Sequence, residues 1–309
     1  MKILITGVHG FVGSNLVKAL SKEHTIYGLD IISPMKDGVR FTFSWDFLDK
    51  PNEIPEVDAI IHLAGKAHDT KNQTVSDVYF KVNTGLTQKI YDYFLKSKAK
   101  KFIFFSTAKA AADKVEGVLT EDVIPSPVGP YGESKIAAEK YIQEHLSDEK
   151  QVYILRPCMI HGPGNKGNLN LLYNVVKKGI PWPLGAFENR RTFTSIDNLS
   201  FVINGLLTKD VPTGIYNMGD DEALSTNELI EEICKSLGKK AHIWKLPKGL
   251  MNGVASIGGA LHLPLDSERL RKLTENYISS NDKIKKALGV EKMPVDAREG
   301  LKVTLESFK

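Results

Sequence analysis

Tyr131 and Lys135 stand four residues apart in the segment VGPYGESKIAAEKYI, residues 128–142. On a helix, side chains at positions i and i+4 lie on the same face. A nearby ammonium group stabilises a phenolate over a phenol, so this pair could move a proton, with Lys135 lowering the pKa of Tyr131 toward working pH. The spacing is not diagnostic by itself, because Tyr173 and Lys177 share it. The neighbouring elements must distinguish the two pairs.

The segment that precedes Tyr131 favours the first pair. The run KFIFFST, residues 101–107, is typical of a strand buried on both faces and ends in Ser106 and Thr107. A helix that begins after the breaker SPVGP would bring Tyr131 to that strand end. The Thr107 hydroxyl could then orient a substrate oxygen and share the proton. No such strand precedes Tyr173, and we predict an ordinary amphipathic helix there.

A glycine-rich turn follows the first predicted strand. In TGVHGFVGS, Gly7, Gly10 and Gly13 lie between that strand and the first predicted helix. Glycines there allow a tight turn, let backbone N–H groups approach a pyrophosphate, and let the helix pack closely on the strand. The spacing G-x-x-G-x-x-G is a variant of the G-x-G-x-x-G fingerprint. The order of strand, turn and helix predicts a dinucleotide site.

Two carboxylates bear on the choice of dinucleotide. Asp30 closes the second predicted strand, and Asp46 lies in SWDFLD. A carboxylate at the end of the second strand accepts both hydroxyls of the adenosine ribose and repels a 2′-phosphate. No arginine follows Asp30, which favours NAD(H) over NADP(H). Asp46 is a candidate partner of the adenine amino group. The alternative for each is a solvated surface carboxylate.

The order of apolar and amphipathic runs predicts the fold class. Strands are predicted near residues 2–6, 25–30, 58–64, 101–107 and 152–157, and helices near 11–21, 74–97 and 131–147. This alternation predicts an α/β fold with a Rossmann-type doubly wound parallel sheet. After RPCMIHGPGNKGN, helices joined by strand-like pieces such as 241–246 predict a smaller, mostly helical C-terminal substrate lobe. We assign the dinucleotide domain to 1–160 with 191–217 returning to it, and the lobe to 161–190 and 218–309.

Composition excludes several classes of function. The 309 residues include 41 basic and 37 acidic ones, a net charge of +4, and no long basic run, so nucleic-acid binding is not expected. The two cysteines, Cys158 and Cys234, predict a reduced cytoplasmic protein without disulfides. Met1 leads directly into the first predicted strand, and no apolar stretch reaches the length of a membrane span, so neither a signal peptide nor a span is expected. The histidines lack metal-ligand spacing, so no metal site is predicted.

Several motifs together resemble one enzyme family. The glycine turn, the strand-end Ser106 and Thr107, YGESK and RPCMIHGPG resemble the extended short-chain dehydrogenase/reductase superfamily, in its NAD-dependent epimerase/dehydratase family, over essentially the whole chain. HLAGKAH, FSTAKA, NKGNLNLL and PLGAFENRRTFTSIDNL resemble a UDP-glucose 4-epimerase-like subgroup of bacterial polysaccharide biosynthesis. The resemblance implies that Thr107, Tyr131 and Lys135 are catalytic. It also implies a homodimer, for which 74–97 and 131–147 could supply the helices.

The same resemblance implies the residues that line the two ligand sites. Those expected at NAD are Gly7, His9, Gly10, Phe11, Val12, Gly13, Asp30, Asp46, Phe47, Leu63, Ala64, Gly65, Asn83, Ser106, Tyr131, Lys135 and Pro157. Those expected at a nucleotide-diphosphate sugar, UDP-linked, are Lys66, Lys109, Asn165, Asn168, Arg191 and Arg271, with Arg269 a weaker candidate. A guanidinium such as that of Arg191 suits a diphosphate by bidentate geometry. The alternative for Arg191 is a residue that holds a loop.

The resemblance leaves several functions open. The first is an NAD-dependent 4-epimerase of a UDP-hexose or UDP-N-acetylhexosamine that acts through a transient 4-keto intermediate. The second is an NAD(P)H-dependent 4-ketoreductase of a UDP-4-keto-6-deoxyhexosamine, which uses the same three residues. Others are an epimerase of a lipid-diphosphate-linked sugar and a non-catalytic NAD-binding protein. A dehydratase is not expected, because Ala108 and Lys109 stand where dehydratases carry an Asp-Glu pair.

One lobe segment has an unusual composition. LPKGLMNGVASIGGALHLPL, residues 246–265, is apolar, rich in glycine and flanked by lysines. It predicts a buried lobe helix. The alternative is a patch that contacts a membrane surface or a polyprenyl chain.

Overall fold

The structure, a computed structural model, describes residues 1–32, 34–50, 53–66, 75–260 and 266–309, without the side chains of 258–260. Its strands are β1 (Lys2–Thr6), β2 (Thr25–Leu29), β3 (Phe41–Phe43), β4 (Ala59–His62), β5 (Lys101–Phe105), β6 (Val118–Leu119), β7 (Gln151–Pro157), β8 (Met159–His161), β9 (Phe193–Ser195), β10 (Gly214–Met218) and β11 (Ile278–Ser279). Seven of them form a parallel sheet in the order β10-β7-β5-β4-β1-β2-β3. Two small sheets pair β6 with β11 and β8 with β9.

Helices connect these strands and build the lobe. They are α1 (Phe11–Leu20), α2 (Ser76–Tyr79), α3 (Leu86–Lys96), α4 (Ala108–Ala111), α5 (Pro130–Glu144), α6 (Asn168–Lys177), α7 (Ile196–Thr208), α8 (Thr226–Ser236), α9 (Lys248–Ala260), α10 (Ser267–Thr274), α11 (Asp282–Leu288) and α12 (Ala297–Glu306). A 3-10 helix spans Trp45–Asp49, and a π-helix, Phe80–Gly85, lies between α2 and α3.

Helices on both faces explain why the central strands are apolar throughout. Along β1, Ile3 and Ile5 pack on the face covered by α1 and α7, whereas Leu4 packs on the face covered by α3 and α5. Alternation of this kind follows from the pleat, in which successive side chains point to opposite faces. A strand buried on both faces has no polar side to display. The predicted doubly wound parallel sheet is confirmed.

The order of the strands predicts which edge of the sheet binds ligands. From β1 the chain builds outward through β2 and β3, then returns to the other side of β1 with β4 and β5. In such sheets, ligands bind outside the carboxyl ends of the strands where the order reverses. Here β1 and β4 flank that point, and they end at Thr6 and His62. The residues that follow these strand ends therefore form the candidate site.

A second hydrophobic core holds the lobe together. Its buried members come from α6, α8, α9, α10 and α12, for example Leu169, Ile233, Ala255 and Leu301. In contrast, α7 packs in the core of the sheet, and β10 pairs with β7 as an edge strand. The residue limits of the two units stay a prediction.

Two local predictions differ from the structure, and one strand was not predicted. Residues 241–246 join the neighbouring segment through isolated bridges, Trp182 with Ile243 and Leu184 with Lys245, instead of forming a strand. The helix predicted over 74–97 contains the π-helical turn, and residue 74 lies outside the described residues. Strand β3 was not predicted, because three residues are too few to show a pattern.

Close packing of α1 on the glycine turn makes Gly13 sensitive to any side chain. A Cβ there would overlap the carbonyl oxygen of Gly7 and lie 2.9 Å from the Cα of Val8. We expect Gly13→Ala to lower the free energy of unfolding by about 1–3 kcal/mol, measured by urea denaturation. The control is Gly253→Ala on α9, where a Cβ would meet nothing within 4 Å. It should be neutral or stabilising by up to about 1 kcal/mol. Equal effects of the two substitutions would contradict the close contact.

Candidate active site

Thr107 and Tyr131 meet at the carboxyl end of β5. Thr107 caps α4, and its Oγ1 accepts the backbone N–H of Lys109 at 3.3 Å. Tyr131 is the second residue of α5, which begins at Pro130 after Gly129 with φ +85°. Proline is favoured at the first helical position, and glycine tolerates the positive φ. Thr107 lies close enough to Tyr131 for its side chain to lower the pKa of the phenol, so the structure brings the two predicted hydroxyls together.

Lys135 lies one helical turn beyond Tyr131 and is buried. Its Nζ donates to the Phe105 carbonyl oxygen at 2.8 Å and lies 5.0 Å from the centroid of the Phe104 ring. Burial lowers the pKa of Lys135 to about 8, and the negative charge of Glu139 partly offsets that effect. A lysine of this kind can change its protonation state near neutral pH, unlike a solvated one.

The expected lowering of the Tyr131 pKa is wrong for this structure. Burial raises the pKa of Tyr131, the hydrogen bond with Thr107 lowers it, and Tyr79 raises it again. The Lys135 ammonium is engaged with the Phe105 carbonyl. The balance favours the neutral phenol, because the protein interior penalises the charged phenolate. A further positive charge beside the ring would be required to reverse that preference.

A buried ion pair lies on the face of α5 that carries Tyr131 and Lys135. The Glu139 carboxylate, fully buried, accepts from Arg156 Nε at 3.0 and 3.2 Å and from Nη2 at 2.6 Å. Ser106, expected to line the cofactor site, donates its hydroxyl to the same carboxylate. Since Arg156 belongs to β7 and Ser106 follows β5, the pair ties α5 to two strands. Sequence reasoning missed it, although Arg156 interrupts the apolar run VYILRP.

Removing one member of this pair should cost more than removing both. Glu139→Gln leaves the Arg156 charge buried without a counter-ion, and we expect the free energy of unfolding to fall by about 3–5 kcal/mol. The double variant Glu139→Leu with Arg156→Met carries no uncompensated charge and should recover most of that loss. Urea denaturation followed by circular dichroism measures both. A double variant as unstable as the single one would show that the charge itself is not the cause.

The glycine turn fits a bound dinucleotide. Gly7 has φ +69°, and a Cβ there would lie 3.0 Å from the backbone nitrogen of Ala64. Helix α1 begins at Phe11, directly after Gly10. The first N–H groups of a helix have no partner within it, and together with the helix dipole they attract an anion. The turn therefore offers Phe11, Val12 and Gly13 as backbone donors for a pyrophosphate.

Asp30 supports the turn from the end of β2. Its Oδ2 accepts the backbone N–H of His9 at 3.0 Å, and its Oδ1 accepts that of Ile31 at 2.8 Å. Asp46 is exposed on the 3-10 helix, and Phe47 beside it packs on Phe43 with ring centroids 5.3 Å apart. Contacts of these residues with ribose and adenine stay a prediction.

A chain of hydrogen bonds runs from β1 to α3 next to the glycine turn. Thr6 Oγ1 accepts the N–H groups of Leu63 and Ala64 at 3.1 and 3.0 Å, so its own hydrogen goes to His62 Nδ1 at 2.7 Å. Thr87 Oγ1 donates to a carbonyl of the π-helix at 2.6 Å and therefore accepts from His62 Nε2 at 2.9 Å. This arrangement requires a neutral His62 with its proton on Nε2.

Asn83 joins the loop after β4 to α5. Its Oδ1 accepts the Lys66 N–H at 2.7 Å, and its Nδ2 donates to Ser134 Oγ at 3.0 Å and to the Lys66 carbonyl at 3.2 Å. A Cβ on Gly65 would lie 2.9 Å from Asn83 Oδ1 and 3.2 Å from Lys135 Nζ. The predicted cofactor residues of this loop thus lie directly beside Lys135. π-Helical turns recur at functional sites, and this one positions Asn83.

His62 should make the stability of the protein depend on pH. Burial lowers its pKa well below the ordinary 6.5, and the charge of Lys135 lowers it further. The unfolded chain takes up a proton near pH 6.5 and the folded chain does not, so stability falls as pH drops below that value, by about 1.4 kcal/mol per pH unit. Urea titrations between about pH 7 and about pH 5 give the free energy of unfolding at each pH. This free energy should depend less steeply on pH in His62→Gln than in the unsubstituted protein. Identical slopes would contradict the buried neutral imidazole.

Arg191 reaches the same edge from the lobe. Its backbone bridges to Leu224 and Tyr277, and its Nη1 donates to the Lys272 carbonyl. Burial lowers the pKa of Arg191, whereas its interactions with Glu275, Cys158 and Tyr277 raise that pKa. Tyr277, to which Arg191 bridges, packs in one cluster with Cys158, which directly follows β7, so Arg191 lies near the carboxyl ends of the strands. Diphosphate binding by Arg191 stays a prediction.

Lys109 and Arg271 share one carboxylate between the sheet and the lobe. Lys109 Nζ lies 2.7 Å from Asp113, and Arg271 Nη1 lies 3.5 Å from Asp113 and 3.2 Å from Glu275. Burial alone would raise the pKa of Asp113, but the bonds and charges of Lys109 and Arg271 lower it. Both predicted substrate residues are therefore engaged in ion pairs that join α4 to α10.

The remaining predicted residues have local roles. Asn165 is buried in its own loop, where Nδ2 donates to the Ile160 carbonyl at 2.9 Å and Oδ1 accepts the Gly167 N–H at 2.6 Å, so it shapes that loop. Asn168 is exposed at the start of α6, and Arg269 lies 3.6 Å from Asp266 on the surface. Pro157 ends β7 opposite Met218.

The described ranges contain no group of three or more His, Cys, Asp or Glu residues that could hold a metal ion. His161 is buried, with Nδ1 2.8 Å from Thr304 Oγ1 and Nε2 3.6 Å from Asp220. Cys158 is a free buried thiol, and burial raises its pKa to about 12, which makes it a poor nucleophile. His68 lies outside the described residues.

The class of protein follows from these features at one sheet edge. A Rossmann-type sheet that carries a phosphate-binding turn and a proton-transfer cluster is an enzyme that uses a dinucleotide. Comparison with protein-family models names the family: the chain belongs to the NAD dependent epimerase/dehydratase family, whose model matches residues 3–219. The predictions of the family and of NAD as its cofactor are confirmed.

Individual relatives agree with this assignment. UDP-glucose 4-epimerase of Vibrio cholerae is 31% identical, over 99% of this chain and 95% of that protein. N-acetyl-alpha-D-glucosaminyl-diphospho-ditrans,octacis-undecaprenol 4-epimerase of Escherichia coli O157:H7 is 28% identical, over 81% of this chain and 77% of that protein. The solved structure of UDP-glucuronic acid 4-epimerase from Bacillus cereus in complex with NAD covers 100% of this chain and 98% of its own, with a TM-score of 0.75 and 22% identity.

Proposed function

We propose that this protein is an NAD-dependent 4-epimerase of a nucleotide-diphosphate sugar, with a UDP-sugar as the substrate. The observation that carries the proposal is the proximity of Thr107 and Tyr131 at the carboxyl end of β5, one helical turn from the buried Lys135. The similarity to a UDP-glucose 4-epimerase along nearly the whole of both chains supports the reaction and the substrate class.

Tyr131 acts as the base and then as the acid. As a phenolate it removes the proton of the sugar 4-hydroxyl while the hydrogen on C4 leaves as hydride, which produces the 4-keto sugar. Bound NAD⁺ supplies the hydride acceptor, and its positive ring charge favours the ionised form of a nearby phenol. Tyr131 would then return its proton to the keto oxygen once the keto sugar has turned over, which would give the 4-epimer.

Thr107 and Lys135 set the conditions for this transfer. The Thr107 hydroxyl lies beside the phenol at the strand end, and we infer that it shares the moving proton. Lys135 provides a cation inside the protein, where water screens little of its charge. Its pKa, lowered to about 8 by burial, lets it follow the protonation of its surroundings near neutral pH. We infer that a charged Lys135 stabilises the phenolate during turnover.

The residues beside Thr107 argue against loss of water from the substrate. Ala108 and Lys109 stand where dehydratases of this family carry an acidic pair, and Lys109 is paired with Asp113 at 2.7 Å. Neither residue can serve as the carboxylate acid and base of an elimination. Arg191 and Arg271 on the lobe side and Lys109 on the sheet side are our candidates for contacts with the diphosphate and the sugar.

Substitution of Tyr131 tests the chemistry. We expect Tyr131→Phe to lower kcat by at least about a hundredfold while NAD binding persists, because only the transferable proton is lost. Turnover is followed by the anomeric NMR signals of UDP-glucose and UDP-N-acetylglucosamine, and NAD binding by calorimetry.

The chain offers a matched control for this experiment. Tyr173, with Lys177 four residues later, has the same spacing and is buried on α6. Its hydroxyl has no hydrogen-bond partner among the residues that the structure describes. Tyr173→Phe should therefore retain full activity and stability. Undiminished turnover by Tyr131→Phe, or equal losses in both variants, would refute the catalytic assignment.

The nucleotide released on denaturation separates an epimerase from a 4-ketoreductase. An epimerase regenerates NAD in each cycle and should release stoichiometric NAD without added cofactor. A reductase must exchange its cofactor in each turnover, so net oxidation of NADH or NADPH by a 4-keto sugar would replace this proposal with the reductase. Homodimerisation and a cytoplasmic location stay predictions.

A further inference from the structure

One surface of the lobe differs in charge from the rest of the chain. Residues 166–187 and 236–260, which we term the basic lobe face, contain no aspartate or glutamate. Their lysines are Lys166, Lys177, Lys178, Lys239, Lys240, Lys245 and Lys248. The whole chain has a net charge of only +4, so the remainder is net negative. Segregation of charge on this scale creates a directed electrostatic field at one side of the molecule.

The two segments of the basic lobe face lie side by side. Trp182 N donates to the His242 carbonyl at 2.8 Å, and Trp244 N donates to the Trp182 carbonyl at 2.8 Å. Lys239 Nζ donates to the Lys177 carbonyl at 2.7 Å, which holds the second segment against the end of α6. Both segments also contribute to the same hydrophobic core of the lobe. Lys177, Lys178, Lys239, Lys240 and Lys245, which lie at or beside these contacts, therefore belong to one region of the surface.

Apolar side chains lie exposed among these lysines. Helix α9 directs Met251 and Ala255 into the core and leaves a separate stripe at i, i+4 and i+7 in contact with water. The exposed apolar residues of the face are 40–61% accessible: Leu171, Val175, Ile180, Trp244, Leu250, Val254 and Ile257. Residues 261–265, the end of the segment predicted as a lobe helix or membrane patch, lie outside the described residues.

The chemistry of this face selects one partner. A second copy of the chain would bring like charges together in a self-complementary interface. Nucleic acid is recognised with arginine and stacking aromatic rings, and these segments contain no arginine and mainly aliphatic exposed side chains. The headgroup region of an anionic bilayer suits this composition. Its negative charge attracts the lysines, and its boundary with the acyl chains accommodates the tryptophan, the aliphatic residues and the apolar stems of the lysines.

We propose that the basic lobe face docks the protein peripherally on anionic lipid membranes. None of the helices in the described ranges is long and apolar enough to cross a bilayer. Docking depends on α6 and α9 and not on Tyr131, so it is independent of the proposed reaction and of the carrier of the sugar.

Vesicle co-sedimentation tests the docking. We expect the protein to bind phosphatidylcholine vesicles that contain phosphatidylglycerol at low salt, to release at high salt, and to leave pure phosphatidylcholine vesicles unbound. Leu250→Glu with Ile257→Glu, and separately Lys240→Glu with Lys245→Glu, should each weaken the partition at least about tenfold. The matched control is Ile124→Glu, since Ile124 is 86% exposed outside this face. Circular dichroism verifies that each variant is folded.

Other outcomes would overturn the proposal. These are no binding to anionic vesicles, binding unaltered by either double substitution, or an equal loss with Ile124→Glu. Polyglutamate, added as a competitor, tests for an acidic protein partner. If the protein binds polyglutamate, and this binding depends on the lysines and not on Leu250 and Ile257, the partner is an acidic protein instead of a membrane. A change of sedimentation coefficient with Leu250→Glu would assign the face to a second copy of the chain.

Discussion

The buried ion pair of Glu139 and Arg156 is the constraint on which the active-site geometry depends. An uncompensated charge in the protein interior is costly, so the two residues must meet, and their meeting fixes the distance between α5 and β7. Ser106 adds the end of β5 to the same contact. Tyr131 and Lys135 lie on the face of α5 that carries Glu139, so the pair sets the position of both relative to the strand ends.

Burial disfavours the ionised form of each titratable side chain around this ion pair. Burial lowers the pKa values of Lys135 and His62 and raises that of Tyr131, so each of the three resists its ionised form. Glu139 opposes this effect at Lys135, where it favours the ammonium. The phenol of Tyr131 should ionise more readily when a cation binds beside it, because the cation counteracts the desolvation that keeps the phenol neutral.

Much of the fold and part of the site follow from local sequence signals. The apolar runs of β1, β4 and β5 predict buried parallel strands, and the spacing of Gly7, Gly10 and Gly13 after a strand predicts the phosphate-binding turn. These signals are readable because each depends on residues within one turn or strand. The choice of Tyr131 over Tyr173 also rests on context, namely the strand that ends at Thr107. The π-helical turn and β3 lacked any such signal.

By itself the sequence determined the parallel sheet, the glycine turn and the residue types that can exchange a proton, since periodicity and turn chemistry are properties of neighbouring residues. Only the tertiary structure decided the pairing of Glu139 with Arg156, the tautomer of His62 and the direction of the Tyr131 pKa. Each of these depends on burial and on a partner distant in the chain. Desolvation arises from the whole packed environment, and no local pattern encodes it.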